Sequence, residues 1–312
     1  MPALAPVPYD TDGSVVPENA LRVLLTGYGP FFRYRENPCW LAVKPLNNTI
    51  LTIDPPSNRL TEDDLDLDHP NGYAQDEPQH IHITTLQLPV TYQAVFDTVP
   101  GFHTRPPTLP SDPSWPLAPP PEAGYDFIFH IGLAGRGPFR MERLGHKHGY
   151  RIKDTTGQHA PTIDRLPDAT ALEQSQAEML EQLASASIAR TESTVATLDV
   201  AIEAPLRGFS KGYETYPEEI YTPIDVEKLV HEMKAMGVES IYSSMDAGHY
   251  VCDFTYYCSL AEARRTSLKH DKGKHTKVLF MHCPPIDQPF STEEVTDAIQ
   301  KIVMWVCRGE RR

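Results

Sequence analysis

The residue with the strongest claim to chemistry is Cys252. It follows Ser243-Ser-Met-Asp-Ala-Gly-His-Tyr-Val, in which a short β-like run ends at Ser243 and Asp246-Ala-Gly248 makes a small-residue turn. A helix-forming stretch comes next, so Cys252 falls in the first turn or so of a helix. Backbone N–H groups and the helix dipole favour a thiolate there, the form a cysteine nucleophile needs. Packing of a buried helical cysteine among Phe254, Tyr256 and Tyr257 is an equally good reading of the position alone. A nucleophile also needs a base. The apolar run Lys277–Met281 delivers His282 at its end, before Cys283-Pro284-Pro285 stops a strand. The third requirement is a carboxylate that orients the imidazole. Glu142, which follows the glycine-rich turn Gly132–Gly137, is the candidate; a surface glutamate paired with Arg143 is the plainer account of it.

Other strings compete. Gly208-Phe-Ser210-Lys-Gly212 has the G-x-S-x-G form of a serine nucleophile. That motif needs a strand running in and a helix running out, and Pro205 before it and Tyr-Glu-Thr-Tyr-Pro217 after it oppose both, so a solvated loop is the better reading. Gly132-x-x-Gly135-x-Gly137 follows an apolar run as a dinucleotide loop would. Pro138 and Phe139 come next with no helix start, and no Tyr-x-x-x-Lys pair supports an oxidoreductase. The pairs His80-x-His82 and His146-x-His148 put two imidazoles on one face of a strand, but no third metal ligand stands at a useful spacing.

These residues must be held by a regular alternation. Leu21–Thr26, His80–Leu88, Tyr125–Ile131, Val195–Ile202, Ser240–Ser243 and Lys277–Met281 read as strands. Cys39–Leu46, Thr91–Thr98, Ala171–Ala184, Asp225–Met236, Ala247–Glu262 and Ser291–Val306 read as helices, the last opened by the capping box Ser291-x-x-Glu294. The expected fold is a single three-layer α/β/α domain with a mostly parallel twisted sheet and long surface insertions. Sites in such sheets sit at strand C-terminal ends. If the Ser240 and Lys277 strands are neighbours, the start of the Cys252 helix and the tip carrying His282 come together.

Proline shapes the rest. The chain has 312 residues and 30 prolines, nine of them in Pro100–Pro121 and four in the first 17 residues. Residues 1–20 read as a tail and 21–312 as the domain, with insertions near 50–79, 100–121, 203–219 and 264–276. Lys plus Arg (28) against Asp plus Glu (42) gives a net charge of −14, which disfavours nucleic acid and anionic membrane as partners. No apolar run approaches the roughly 18 residues of a membrane helix. The first residues show no basic and apolar leader pattern. The five cysteines are odd in number and lack metal spacing, so they read as thiols of a cytoplasmic protein.

The sequence as a whole resembles the pyroglutamyl peptidase type I family, cysteine peptidases that remove N-terminal 5-oxoproline. The resemblance is carried, in order, by Thr26-Gly-Tyr-Gly-Pro-Phe31 with Glu36-Asn-Pro-x-Trp40, and by Leu88-Pro-Val90. Next come His130-Ile-Gly-Leu-Ala-Gly135 with Glu142-Arg143 and Tyr150-Arg151-Ile-x-Asp154, then Ser244-x-x-Ala-Gly-x-x-x-Cys252-Asp, and finally Phe280-x-His282-x-Pro284 with Gln288. These strings touch most of the core from Leu21 to Phe290. Tyr28 stands where the family has Phe, and Leu133 where it commonly has Gln. Leu-Gly-His-Lys-His-Gly-Tyr after Arg143 is more similar to eukaryotic, especially fungal, members.

The resemblance implies Cys252 as nucleophile, His282 as general base and acid, and Glu142 as the orienting carboxylate. It places Tyr28, Phe31 and Leu133 at the lactam pocket and gives Arg151 and Asp154 supporting positions. It implies hydrolysis of peptides with N-terminal pyroglutamate through a thioester, with no metal and no organic cofactor. The alternatives are a member that binds without catalysing, or a serine hydrolase using Ser210.

Overall fold

The computed structural model of the protein describes residues 16–55, 77–163, 205–269 and 275–308. Four strands form the centre of the main sheet: β1 (Leu21–Tyr28), β3 (Gln79–Leu88), β4 (Phe127–Leu133) and β9 (Lys277–Cys283). They are parallel, in the order β3-β1-β4-β9. The near-continuous apolar runs of β1, β4 and β9 suit strands covered on both faces, and Val23, Leu24, Leu25, Ile128, Phe129, Leu279 and Phe280 are wholly buried.

The edges run the other way. β2 (Thr49–Ile53) is antiparallel to β3, at the start of the stretch expected as an insertion. At the far edge β5 (Phe139–Glu142) is antiparallel to β9, and β8 (Ile241–Ser244) is parallel to β5. This corrects the expectation that the Ser240 and Lys277 strands are neighbours: β5 lies between them. A separate antiparallel pair joins β6 (Leu144–His146) to β7 (Glu219–Tyr221).

Helices cover both faces, giving the three layers. One face carries α1 (Pro38–Val43), α3 (Val226–Ala235) and α5 (Thr292–Arg308), and the other carries α2 (Tyr92–Phe102) and α4 (Val251–Lys269). Their starts are chemically marked. Asn37 Oδ1 accepts from Cys39 N, Thr91 Oγ1 from Ala94 N, and Asp225 Oδ1 from Lys228 N. The capping box of α5 is closed from both sides, with Ser291 N donating to Glu294 Oε2 at 2.7 Å and Glu294 N to Ser291 Oγ at 3.2 Å. The apolar stripe Val295, Ile299, Ile302, Val303 and Val306 is buried. α2 runs on through Pro100 to Phe102, past the end expected at Thr98. α4 starts at Val251, later than the expected Ala247, and continues to Lys269 into the expected basic insertion.

The proline-rich segment is packed rather than free-standing. Pro107 and Pro121 are buried. Trp115 sits edge-on to Trp40 with centroids 5.2 Å apart, and its Nε1 donates to Thr85 O at 3.1 Å. The expected helix Ala171–Ala184 and the β-branched run Val195–Ile202 lie outside the described residues.

Candidate active site

The antiparallel pairing of β5 with β9 sets the first two site residues. Arg140 pairs with His282 and Glu142 with Phe280. Residues two apart on a strand share a face, and diagonal neighbours across an antiparallel pair can touch. Glu142 therefore reaches His282 diagonally, and its Oε1 lies 2.7 Å from His282 Nδ1. Glu142 is fully buried and His282 nearly so. Arg140 Nε stands 3.6 Å from the same Oε1. Tyr256 of α4 donates its hydroxyl to the Glu142 carbonyl at 2.9 Å. Among the described residues Glu142 Oε2 has no hydrogen-bond partner. A carboxylate on Nδ1 fixes the ring with the proton on that nitrogen and leaves Nε2 to exchange protons.

Gly132 of β4 is the parallel partner of His282 on the other side. Paired residues of neighbouring strands point to the same face. A Cβ on Gly132 would lie 3.0 Å from Cys252 Sγ and 2.8 Å from Phe280 Cζ. The thiol thus occupies the space a side chain at position 132 would take, over the same face as His282 and one strand across. This brings Cys252, His282 and Glu142 to one corner despite the intervening β5.

The approach to Cys252 is tightly turned. Gly248 has φ 92° and His249 φ 43°, consecutive residues in the left-handed region, which is uncommon for a non-glycine and concentrates at functional sites. Asp246 Oδ1 accepts from Gly248 N at 2.8 Å. Cys252 is the second residue of α4, where the N–H groups of the first turn have no carbonyl within the helix to bond.

Electrostatics modify the expectation of a preformed thiolate. Burial raises the Cys252 thiol well above its ordinary value, and the neighbouring Cys39, Asp253 and Glu142 add to the rise, while the Tyr28 hydroxyl opposes it. Burial thus works against the thiolate that the helix start favours. On the same face, His130 is pushed down to about 3, first by burial and then by His103. Its Nδ1 lies 2.7 Å from Thr26 Oγ1 and its ring is stacked on Phe280, so it is a neutral wall residue rather than a base.

The remaining expected residues divide. Tyr28 closes β1 with its hydroxyl buried beside Cys252 and Thr255, without a well-formed hydrogen bond to either. Phe31 lies in a tight turn bridged to Tyr34, with its ring 6.0 Å from that of Tyr250. Asp154 is buried. Its Oδ2 accepts from Tyr92 N, and its Oδ1 from Thr156 N, Thr156 Oγ1 and Gln158 N. Burial works against the charge, but these bonds prevail and hold the carboxyl below its usual range. Thr155 Oγ1 also donates to Val90 O, so this turn is fastened to the end of the Leu88-Pro-Val90 string. Arg151 is exposed. Leu133 follows Gly132 on β4, so strand alternation turns it to the opposite face, away from the thiol.

Sequence reasoning missed two elements of the site. Tyr250, two residues before Cys252, is raised first by burial, then by Asp154 and Cys252, and with Phe31 makes an aromatic wall. Phe254 is the centre of an aromatic cage under α4. Its ring lies 4.0 Å from Phe209, 4.9 Å from Tyr150, 5.0 Å from Tyr92 and 5.1 Å from Phe96. The sequence places Phe254 beside Cys252, Tyr256 and Tyr257 on one helix, but nothing local points to its partners on other elements.

The competing strings resolve differently. Phe209 of the G-x-S-x-G string is a buried cage residue, and Ser210 lies in an irregular turn. The Gly135–Gly137 loop leads into β5 and opens no helix. The two histidines of His146-x-His148 part company, His146 toward Asp253 and His148 toward Glu218. His82 is buried in β3, and His80 Nδ1 lies 3.3 Å from Thr52 Oγ1. No helix among the described residues is long and apolar enough to cross a membrane.

No family model matches the chain. Among known proteins it is 23% identical over 283 residues to pyroglutamyl-peptidase 1 of Homo sapiens, and to the same degree to that of Mus musculus. Each match covers 90% of this chain and 87% of the relative. Among solved structures it is similar to pyroglutamyl peptidase I from Bacillus amyloliquefaciens, with a TM-score of 0.52 at 20% identity over 91% of this chain and 94% of the other. It is also similar to a mutant pyrrolidone carboxyl peptidase from the hyperthermophile Pyrococcus furiosus, with a TM-score of 0.51 at 17% identity over 93% and 100%. The resemblance carried by the five groups of strings thus extends along the chain and to the fold.

Proposed function

We propose that this chain is a cysteine exopeptidase that hydrolyses the N-terminal pyroglutamyl residue from peptides. The observation that carries the reading is the convergence of a thiol against Gly132 with an imidazole, one strand away, whose Nδ1 is held by a buried carboxylate. Residues 21–312 act as one peptidase domain carrying insertions, and five cysteines that form no disulfide suit a reducing, cytoplasmic setting.

His282 Nε2 takes the proton of Cys252 as Sγ attacks the pyroglutamyl carbonyl. Burial disfavours a free thiolate, so the imidazole is needed to take the proton as the bond forms. The N–H groups at the start of α4 face the developing oxyanion. The C–N bond then breaks, His282 returns the proton to the leaving amine, and a thioester remains. Water attacks the thioester with His282 as base, releasing pyroglutamate and restoring the thiol. Glu142 keeps the imidazole in the productive tautomer throughout.

The five-membered lactam is flat and uncharged. It fits between aromatic walls of the kind Tyr28, Phe31 and Tyr250 provide, and the Tyr28 hydroxyl offers a buried donor for its carbonyl. Arg151 and Asp154 support the site at one remove, Asp154 by fastening its turn to Val90 and Tyr92. Leu133 contributes to the pocket through its backbone at the end of β4.

Release of a fluorophore from a pyroglutamyl amide tests the reading. Activity in the parent and in Ser210→Ala, with loss in Cys252→Ala, is the expected result. Activity that survives Cys252→Ala overturns it, and a parent that binds pyroglutamyl peptides without cleaving them assigns the chain a binding role instead.

A further inference from the structure

The residues flanking the nucleophile assemble a second constellation that the peptidase reaction does not use. His146 of β6, His249 of the turn and Asp253 of α4 bring one ligating atom each within 4.8 Å of one another. The two imidazoles are stacked with centroids 4.2 Å apart. Asp253 is fully buried, and its carboxylate addresses His146 twice, accepting from the backbone N at 3.1 Å and facing Nδ1 at 3.0 Å. Asp246 lies alongside, with Oδ1 3.4 Å from His249 Nδ1.

The backbone is shaped to make this meeting possible. His249 is held at φ 43°, and Gly149, at φ 107°, leaves room for its ring; a Cβ there would lie 2.6 Å from His249 Cδ2. Two carboxylates beside two imidazoles give a doubly negative pocket when the rings are neutral. The group is half-open to solvent on the His249 and Asp246 side, which gives an ion a way in.

We propose that His146, His249 and Asp253, with Asp246 as an auxiliary ligand, form a binding site for a zinc-class divalent cation beside the start of α4. Mixed imidazole and carboxylate ligands suit zinc, copper or nickel and disfavour magnesium and calcium, which take oxygen-only shells. Two ligands on a tetrahedral ion stand roughly 3.4 Å apart at the usual bond lengths, close to the present separation of His146 Nδ1 from Asp253 Oδ2. The ion takes the place of the proton shared between them, and His249 closes on it by rotation of an exposed side chain. Because positions 249 and 253 bracket Cys252, occupancy ties the turn and the first helical residues to β6. The site is structural or regulatory, since the peptidase steps route nothing through it.

The test removes the thiol as a rival ligand. Cobalt(II) is titrated into Cys252→Ala protein while the visible d–d bands are recorded, followed by zinc displacement. Saturable bands at one equivalent, without thiolate charge transfer and bleached by zinc, are expected, together with a zinc-dependent rise in melting temperature. Both signals are lost in Cys252→Ala/His249→Ala and in Cys252→Ala/His249→Gln, the glutamine keeping bulk and polarity in the turn. No saturable band in the Cys252→Ala protein, or a band that persists in both His249 variants, overturns the proposal. As every arm uses a catalytically dead background, the outcome is independent of whether the chain is a pyroglutamyl peptidase.

Discussion

Cys252 Sγ fills the space that a side chain on Gly132 would occupy: a Cβ at that position would sit 3.0 Å from the sulfur. Since Gly132 is also the strand partner of His282, the glycine sets the spacing between the Cys252 thiol and the His282 ring. Gly132→Ala is expected to push Cys252 and Phe280 away, costing about 1–3 kcal/mol through overpacking. Denaturant titration checks the stability, and activity at temperatures where the variant is folded is expected to fall further than the stability loss explains.

Glu142→Gln removes the charge and keeps the shape. The amide can present either end to His282 Nδ1, so tautomer control is lost. In a serine triad the corresponding change costs about 10⁴-fold, and a loss of about 10²–10⁴-fold in kcat with little change in KM is expected. An equal rise in KM would instead assign Glu142 to substrate binding.

Phe254→Ala empties the centre of the aromatic cage formed by Tyr92, Phe96, Tyr150 and Phe209. A destabilisation of about 3–5 kcal/mol is expected. Thermal or urea unfolding measures it, and a change within about 0.5 kcal/mol of zero, the range of an exposed site, would show that the cage does not anchor α4.

Acid should unfold the protein through its buried histidines. Burial depresses His103 and His130 to about 3 and His82 to about 4 from an ordinary 6.5. The unfolded chain therefore binds more protons than the folded one between pH 6.5 and these values. The stability from keeping these rings neutral is fully present above 6.5 and is lost as pH falls toward 3, at up to about 1.4 kcal/mol per pH unit for each group. His146, raised chiefly by its bond to Asp253, works in the opposite sense. Urea midpoints at pH 7 and pH 5 are expected to show the lower stability at pH 5, and His103→Gln is expected to flatten the slope.

The parts of the fold legible in the sequence were those written in a local period. The apolar runs of β1, β4 and β9, the period-two alternation of β3, the capping box of α5 and the proline stop after His282 each fix one element from its own residues. The direction of β5 was not written that way. Four residues, three of them buried, pair as readily in either sense, and only the neighbours decide. Leu133 shows a signal that was present and unused, since it is adjacent to Gly132 on one strand and must face the other way. The environment of Cys252 depends on residues as distant in sequence as Cys39 and Tyr28, which a helix-start argument cannot include. The pairing of His146 with His249 and Asp253 was hidden for the same reason, because its third ligand was sought within a few residues.

The proposed base and its carboxylate belong to the sheet, whereas the proposed nucleophile belongs to α4, the longest helix among the described residues. Cleavage competence is therefore a property of the seam between two layers and not of either one. On the proposed mechanism, any event that lifts the first turn of α4 from β4 and β9, leaving both layers intact, would abolish turnover without unfolding the chain, so loss of turnover can serve as an early reporter of that undocking.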